Sequence, residues 1–546
     1  MQARAVRFRL RLAAAAWAAA AVAAAIACGL FPGAARAQAP ADCGSTHWVG
    51  AWAADPVGAL GAGYADQTLR ILLTPHVGGS RLRVHISNRY GSGPLRIARA
   101  SVGLRQSGAA LVAASSRLLR FAGASAVTIP AGGEAVSDPA DLTFAAFEDL
   151  AVSLYLDDPT GPATGHLTGR ERSYTTAGQT GDHTADQAGD AFVASTTTVS
   201  YVDAVDVLEP ASVAAAVLFG DSLTDGYENA GAGGSGEDRG GIDLNHRYPD
   251  FLARRLLAEP GGPRVSVVNA GISGNSLLTD GVTGLGGPTG VARSGADVLG
   301  VAGVTDAIVL EGTNDIAVLA TADQITAALG QIVTRLRAAG LHVLIGTIPP
   351  AGTGLLNLGS LGTPVYIESA YNVIRVAVNR WIRSGASGAD GIVDFDAALR
   401  GTVQPNELDP SLDSGDHLHP SYLGYARMAA AVDLADLRGG ARCGEASQRM
   451  RTTLHARAAA RPVGRLRLTG SLVTAPGVDC AGVDVVVRAL RAGHTVLKRR
   501  VRLTAACRFA TTRALGVRGR IEVRVGFPGS PTLLPSRARA IHLTAR

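Results

Sequence analysis

Apolar and polar positions follow two different patterns along the chain, and each pattern predicts a different kind of sheet. Between residues 43 and 208 the apolar positions fall in short runs that alternate with polar ones, as with Leu82, Val84 and Ile86. A period of two is typical of strands that bury one face. We therefore expect an N-terminal β-sandwich over residues 43–208.

Two of these strands are expected to pair as a β-hairpin. The apolar segments 67–75 and 81–88 flank the turn-forming string Gly78-Gly79-Ser80. Short connections that contain glycine are typical of hairpins. The sequence therefore predicts that these two segments are hydrogen-bonded neighbours in one sheet.

The pattern changes near Glu209-Pro210, where fully apolar runs begin to alternate with helical segments. Strands that are apolar throughout are typical of parallel sheets covered by helices on both faces. One helix is well marked, because Thr321 and Gln324 form a capping box, apolar residues then recur at helical spacing, and Gly340 follows as its end. We expect a doubly wound, three-layer α/β domain over residues 211–440. Its predicted strands are 214–219, 265–268, 307–310, 343–345 and 392–395.

Short alternating strands return near the C-terminus, together with an excess of positive charge. From Arg449 onward there are about twenty Lys and Arg residues against three acids, whereas the whole chain has a net charge of +6. We expect a small immunoglobulin-like β-sandwich over residues 455–546. Its basic surface predicts contact with an anionic cell surface, and a merely solvated positive face is the alternative. No nucleic-acid-binding module is recognisable, so we expect no nucleic-acid partner.

The N-terminus has the pattern of a secretory signal peptide. Four arginines precede an apolar run over residues 12–26, and Ala35-Arg36-Ala37 gives a small-x-small cleavage site. We expect residues 1–37 to be removed and the protein to be secreted. An uncleaved anchor and a lipoprotein attached at Cys28 are the alternatives. No other segment is long and apolar enough to predict a transmembrane span.

Cysteine usage agrees with an oxidising compartment. Removal of the signal peptide removes Cys28 and leaves four cysteines, which allow three pairings. We favour Cys43–Cys443, which ties the mature N-terminus to the end of the α/β domain. The second pair is then Cys480–Cys507, within the C-terminal domain.

Chemistry-bearing residues stand where the predicted parallel strands end. The first strand runs into Gly220-Asp221-Ser222-Leu223, which places a serine at a strand-to-helix junction where ligands bind in doubly wound sheets. The hydroxyl of Ser222 can then face the crevice as a nucleophile, with its backbone N–H available to an oxyanion. A simple helix N-cap is the alternative role for this serine.

The next two strand ends supply candidate hydrogen-bond donors. Gly274 lies in Gly271-Ile272-Ser273-Gly274-Asn275, where a residue without Cβ lets backbone approach a substrate. Asn314 lies in Gly312-Thr313-Asn314-Asp315, where its side-chain amide can stabilise an oxyanion. Each segment alone is equally typical of a turn.

A candidate base and its orienting acid lie in one later segment, Asp413-Ser414-Gly415-Asp416-His417-Leu418-His419-Pro420. An imidazole titrates near neutrality, and a carboxylate can hold it in the right tautomer. The spacing favours Asp416 with His419, and His417 is the competing base. Two histidines alone do not make a metal site, and no further ligand cluster supports one, so we expect no metal.

These four segments resemble the SGNH/GDSL hydrolase superfamily, which is named for Ser, Gly, Asn and His in four blocks. Here the blocks match Ser222, Gly274, Asn314 and His419, and the acid of the family falls on Asp416. The flanking residues, with Trp48-Val49-Gly50-Ala51-Trp52 near the N-terminus, are similar to bacterial secreted acylhydrolases and arylesterases that carry an N-terminal β domain. Some members of that subfamily are associated with xylan degradation. The resemblance covers about residues 45–435.

The resemblance implies a flavodoxin-like αβα fold, a Ser222–His419–Asp416 triad, and an oxyanion hole built by Ser222, Gly274 and Asn314, with no cofactor. An α/β-hydrolase is disfavoured, because Thr224 stands where its Gly-x-Ser-x-Gly motif needs the second glycine. We therefore expect a secreted carboxylic ester hydrolase acting on lipid esters, short acyl esters or acetylated polysaccharide. A non-catalytic glycan-binding protein and a transacylase that uses the same triad remain as alternatives.

Overall fold

The computed structural model describes residues 45–228, 241–281, 286–351, 368–440, 453–461, 465–473, 480, 483–528 and 536–545. All of these residues lie within the compact unit Cys43–Arg546. The predicted signal peptide and the predicted Cys43–Cys443 pair fall outside the described residues. Both therefore stay predictions.

The N-terminal region is rich in β-strands that form two large antiparallel sheets around one core. The first sheet has the order β1-β17-β4-β10 with β11 also on β4, and the second has the order β15-β14-β3-β12-β6-β7 with β8 on β6. Apolar side chains of both sheets, such as Val84 on β4 and Leu69 on β3, pack into this core. The strands are β1 (Thr46–Ala53), β2 (Gly58–Leu60), β3 (Gln67–Leu73), β4 (Gly79–Ser87), β5 (Leu95–Ile97), β6 (Arg99–Ser107), β7 (Ala110–Leu111), β8 (Arg117–Leu118), β9 (Val127–Ile129), β10 (Glu134–Val136), β11 (Ala140–Phe144), β12 (Leu150–Leu156), β13 (Ala163–His166), β14 (Ser173–Thr176), β15 (Phe192–Thr196), β16 (Val199–Ser200) and β17 (Val202–Pro210).

The predicted hairpin of β3 and β4 is wrong, although both strands exist. β3 pairs with β12 and β14, whereas β4 pairs with β17, β10 and β11, so the two strands lie in different sheets. The apolar face of β3 packs against that of β4 across the core. This packing buries both faces more completely than an isolated two-stranded hairpin would. The segment between them is held elsewhere, because His76 is hydrogen-bonded to Asp250 at 2.8 Å and to the carbonyl of Val267 at 2.7 Å.

The middle of the chain confirms the predicted α/β domain. Five parallel strands have the order β19-β18-β20-β21-β22, which is order 2-1-3-4-5 counted from the first parallel strand. The last predicted run is shorter than expected, because Asp394 caps a helix that begins at Phe395. The strands are β18 (Ala214–Gly220), β19 (Val265–Gly271), β20 (Val304–Leu310), β21 (His342–Gly346) and β22 (Gly391–Val393), and the helices are α1 (Ser222–Asp225), α2 (Tyr248–Ala258), α3 (Gly290–Ser294), α4 (Thr313–Ala317), α5 (Ala322–Ala338), α6 (Glu368–Ser384), α7 (Phe395–Leu399) and α8 (Tyr422–Ala431).

Alternate residues of the central strand β18 enter two separate cores. Val217 and Phe219 pack with side chains of α5 and α6, whereas Ala216 and Leu218 pack with those of α2 and α8. Helices therefore cover both faces of the sheet, as fully apolar strands require. The capping box of Thr321 on α5 is confirmed.

The C-terminal region consists of β-sheets around a core of its own. One sheet has the order β23-β24-β27, and the other has the order β26-β25-β28-β29 with β30 on β28. A disulfide joins Cys480 to Cys507, the pair favoured from the sequence, and both residues are buried in this core. The strands are β23 (Thr453–Arg461), β24 (Arg465–Val473), β25 (Asp484–Arg491), β26 (His494–Arg502), β27 (Arg508–Ala514), β28 (Gly519–Phe527), β29 (Ser536–Arg537) and β30 (Ile541–Ala545).

None of the helices in the described part of the chain has both the length and the apolar character that a membrane span needs.

Candidate active site

Ser222 stands at the junction between the central strand β18 and the short helix α1. The strand ends at Gly220, and the side chain of Asp221 caps the helix by accepting a hydrogen bond from the N–H of Leu223 at 2.9 Å. A side chain at Gly220 would bring Cβ to 2.0 Å from Oγ1 of Thr224, so this tight turn requires glycine. The turn fixes Ser222 at the carboxyl edge of the sheet, where ligands bind in folds of this class.

The imidazole of His419 joins the hydroxyl of Ser222 to a carboxylate. Oγ of Ser222 lies 2.9 Å from Nε2 of His419, and Nδ1 of His419 lies 2.7 Å from Oδ2 of Asp416. The other oxygen of Asp416 accepts the N–H groups of Leu418 and His419 at 3.0 and 2.8 Å. A carboxylate accepts the proton of Nδ1, which leaves Nε2 free to accept a proton from the serine.

The carboxyl of Asp416 is held in its ionised form. Burial alone raises its pKa, but the hydrogen bonds and charge of His419, with the backbone N–H groups, outweigh burial and bring the pKa below its usual value. An ionised partner stabilises a positively charged imidazole. The arrangement can therefore support proton transfer from Ser222 to His419.

His417, the competing base, points to a different partner. Its Nδ1 lies 2.6 Å from Oδ2 of Asp413, and its side chain is 57% exposed against 12% for His419. His417 also has a left-handed backbone with φ of 61°. The structure thus brings His419, and not His417, to the hydroxyl of Ser222.

Gly274 and Asn314 lie at the ends of the two strands beside β18. Gly274 follows β19 and has a φ of 78°, a conformation that favours glycine. Asn314 lies on α4, just after β20, and its side-chain Nδ2 donates one hydrogen bond to the carbonyl of Asn275 at 2.7 Å. An amide NH₂ carries two hydrogens, so this bond fixes the side chain and leaves the second donor for a ligand.

Arg293 contacts the strand ends that carry these residues, and no local sequence pattern identifies it. Its buried guanidinium donates to the carbonyls of Gly220 at 2.8 Å and Ala270 at 2.9 Å, and to Oδ1 of Asn275 at 2.7 Å. It also pairs with Asp297 at 3.2 Å. One side chain thus fixes the end of the serine strand relative to the loop of Gly274.

Buried carboxyl groups lie beneath the same strand ends. Burial raises the pKa of Asp221 to about 7, and the nearby carboxylate of Asp315 adds to this increase. Burial and the neighbouring Asp221 also raise the pKa of Glu311. Asp315 accepts hydrogen bonds from Oγ of Ser276 at 2.6 Å and from the N–H of Leu277 at 2.8 Å. This cluster anchors the loop that follows Gly274.

The N-terminal β-rich region reaches the edge of the site. The ring of Tyr227 lies 4.5 Å from the imidazole of His419, and the guanidinium of Arg170, which comes from the N-terminal region, lies 4.8 Å over the ring of Tyr227. No local sequence pattern marks either residue, because their proximity depends on how two distant segments pack. Among the described residues, no three His, Cys, Asp or Glu side chains group as metal ligands.

A parallel sheet with order 2-1-3-4-5 and a Ser–His–Asp chain at its carboxyl edge are features of a serine-type hydrolase. Residues 218–427 match the family model described as GDSL-like Lipase/Acylhydrolase family. The match includes every residue of the four blocks and Asp416. A search of curated proteins found no match.

Solved structures with similarity to the chain include a GDSL-like lipase and an acetylxylan esterase. A GDSL-like lipase from Bacteroides thetaiotaomicron is 18% identical with a TM-score of 0.29, and covers 41% of this chain and 87% of its own. A catalytic mutant of an acetylxylan esterase from Geobacillus stearothermophilus is 19% identical with a TM-score of 0.28, and covers 40% of this chain and 91% of its own.

Proposed function

We propose that this protein is a secreted serine esterase that hydrolyses carboxylic esters through an acyl-enzyme intermediate. Ser222 is the nucleophile, His419 the general base and acid, and Asp416 the residue that orients the imidazole. The observation that carries the proposal is the continuous hydrogen-bonded chain from Oγ of Ser222 to Nε2 of His419 and from Nδ1 to Asp416. It lies within the family-matched residues, which supports ester chemistry.

In the first half of the proposed reaction, Oγ of Ser222 attacks the ester carbonyl and its proton passes to Nε2 of His419. The carbonyl oxygen becomes an oxyanion, which the N–H groups of Ser222 and Gly274 and the free amide hydrogen of Asn314 stabilise. His419 then gives its proton to the leaving alcohol, and the C–O bond breaks. The acyl group remains on Ser222.

In the second half, water takes the place of the alcohol. His419 removes a proton from the water as its oxygen attacks the acyl carbon. Collapse of the second oxyanion releases the carboxylic acid and returns the proton to Oγ of Ser222. No step needs a cofactor, because the imidazole transfers the protons and the hydrogen-bond donors stabilise the oxyanion.

The substrate class is tested with a panel of p-nitrophenyl esters of increasing acyl length, together with acetylated xylan. We expect turnover of at least one class by the wild-type chain and none by a variant that lacks the Ser222 hydroxyl. The acyl length with the highest kcat/KM identifies the substrate class. Absence of turnover across the whole panel contradicts the proposed function, and ester products formed only with added alcohol indicate a transacylase instead.

The role of Asn314 is tested by Asn314→Ala. We expect kcat to fall about a hundredfold to a thousandfold, because one oxyanion donor is lost. The KM should change little, since the donor acts on charge that develops in the transition state. Steady-state kinetics on the best ester measures both constants. An increase confined to KM indicates a uniform binding role and contradicts this assignment.

The finer architecture and the location belong to the same proposal. We propose a flavodoxin-like αβα domain over residues 211–440, a β-sandwich over residues 43–208 and a second one over residues 455–546. The strand order 2-1-3-4-5 and the separate cores support this division. Export with removal of residues 1–37 predicts a mature protein that begins at Gln38, and N-terminal sequencing that finds Met1 contradicts it.

We propose that the contact with an anionic surface lies on the C-terminal sheet that contains β25, β26 and β28. Arg488 lies directly opposite Lys498 on one neighbouring strand and Arg524 on the other, and all three are exposed. Glu522 pairs with Arg524 at 2.8 Å, so part of this charge is neutralised. Like charges directly opposite each other destabilise a sheet, so the row favours a ligand-binding role over a folding role.

Retention on a carboxylate polymer resin tests this contact. We expect Arg488→Glu to elute at lower salt than the wild type, and Arg513→Glu, a control on the other sheet of the region, to shift less. Equal shifts for the two variants indicate net charge alone and contradict a localised surface.

A further inference from the structure

The carboxylate of Asp225 connects the candidate active site to the N-terminal β-rich region. Asp225 is the last residue of α1, three positions after Ser222, and it is buried. Its Oδ2 accepts hydrogen bonds from the hydroxyl of Thr168 at 2.5 Å and from the hydroxyl and the backbone N–H of Ser273 at 2.5 and 2.9 Å. One oxygen atom therefore binds groups from two other segments of the chain.

The second oxygen of Asp225 faces a buried histidine of the N-terminal region. Nε2 of His166 lies 3.3 Å from Oδ1 of Asp225, and Nδ1 lies 2.8 Å from the carbonyl oxygen of Asp55. The carbonyl of Asp55 and the ionised carboxylate of Asp225, whose pKa lies below its usual value, accept hydrogen bonds and cannot donate them, so both ring nitrogens of His166 carry hydrogens. His166 and Asp225 thus form a buried ion pair.

The electrostatic surroundings agree with this ion pair. Burial alone lowers the pKa of His166, yet the carboxylate of Asp225 outweighs burial and raises the pKa above its usual value. For Asp225, burial raises the pKa, and His166 together with Arg170 and the hydroxyl of Ser273 brings it well below its usual value. Breaking such a pair leaves an uncompensated buried charge, so the carboxylate is held firmly.

The position of Ser273 makes this contact relevant to the reaction. Ser273 directly precedes Gly274, whose N–H is a proposed oxyanion donor, and Asp225 ends the short helix that begins at Ser222. The two segments touch closely, because a Cβ at Gly271 would lie 2.1 Å from the N of Asp225. The carboxylate therefore connects the nucleophile segment to the oxyanion loop.

We propose that Asp225 is a positioning residue, held by Thr168 and His166 of the N-terminal β-rich region, which sets the oxyanion loop relative to Ser222. The N-terminal region is then a part of the catalytic apparatus and not only a substrate-binding module. This inference rests on the proposed esterase function. Asp225 acts through Ser273 and does not itself touch the reacting atoms.

Two small variants test the proposal in the full chain. Thr168→Val and Ser273→Ala each remove one hydroxyl from Oδ2 of Asp225 while the buried ion pair remains. We expect kcat to fall roughly tenfold in each with KM within about twofold, because a small misplacement of the donors costs transition-state stabilisation. Thr168→Ser should restore activity, and Thr175→Val, the same change at a half-buried threonine on β14 of the same region, should leave it unchanged.

The double variant separates a positioning role from two unrelated structural effects. Because both hydroxyls act through one carboxylate, we expect the loss of kcat in Thr168→Val/Ser273→Ala to be close to that of the worse single variant. Independent effects predict the product of the two losses, about a hundredfold. Wild-type kcat in both single variants, or a fully multiplicative double variant, overturns the proposal.

A readout that needs no turnover distinguishes this inference from the proposed function. Hydrogen exchange measured by mass spectrometry should show faster exchange at residues 271–275 in Thr168→Val, with the β-strands of the N-terminal region unchanged. Unaltered exchange at residues 271–275 overturns the positioning role even if the esterase is active. An inactive wild type contradicts the proposed function, while the exchange result still decides the structural link from Thr168 to the oxyanion loop.

Discussion

Ser222→Ala is expected to lower kcat by about six powers of ten on any ester that the wild type hydrolyses. The substitution removes the nucleophile of the proposed triad, whose three residues act together. The remaining activity comes from the oxyanion donors and substrate binding alone. The substitution removes the hydrogen bond between Oγ of Ser222 and His419. Ser222 is not part of either hydrophobic core of the α/β domain, so the Tm should stay close to that of the wild type. Initial rates and thermal unfolding measure the two effects separately.

A matched control for this variant is available on the loop that carries His419. Ser411→Ala removes a hydroxyl that binds Asp409 at 2.7 Å, away from the serine. This control should keep wild-type kcat. Substantial esterase activity in Ser222→Ala, with Ser411→Ala equally active, shows that another residue is the nucleophile and refutes the assignment.

Asp416→Asn is expected to lower kcat by about four powers of ten without a large change in KM. The asparagine can still accept the backbone N–H groups of Leu418 and His419 through its oxygen, so the loop should keep its shape. Its NH₂ group, however, then faces Nδ1 of His419 and favours the tautomer with the proton on Nε2. That tautomer cannot accept the proton of Ser222.

Asp413→Asn gives an unusually close control for this prediction. Asp413 bonds Nδ1 of His417 at 2.6 Å and also accepts two backbone N–H groups, so the same substitution is made in nearly the same local structure. We expect its kcat to stay within a few-fold of the wild type. The opposite result, with Asp413→Asn nearly inactive and Asp416→Asn active, identifies His417 as the base.

The parts of the fold that could be predicted from the sequence are those set by local patterns. Fully apolar strands such as β18 bury both faces wherever they pack, and the capping box at Thr321 depends only on residues three positions apart. The chemistry-bearing residues at strand ends could be predicted for the same reason, since the ends of neighbouring parallel strands meet at one edge. The sequence spacing alone favours His419 over His417, and in the structure each histidine has its own carboxylate, Asp413 for His417 and Asp416 for His419.

The features that the sequence did not predict depend on packing between distant segments. The hairpin prediction for β3 and β4 was wrong because the local signal, a glycine turn between apolar strands, cannot show that the strands pair across different sheets. Arg293 and the contact of Asp225 with Thr168 have no local signature either. A buried arginine or aspartate is stable only with its partners, and those partners lie far away in the sequence.

Covalent labelling by an organophosphonate tests the central claim most directly, because such a reagent phosphonylates a serine only where a base activates its hydroxyl. The account predicts one adduct per chain, located by peptide mass spectrometry on Ser222, and strongly reduced labelling in Asp416→Asn. An intact wild-type chain that takes up no reagent, or an adduct on a serine other than Ser222, contradicts it.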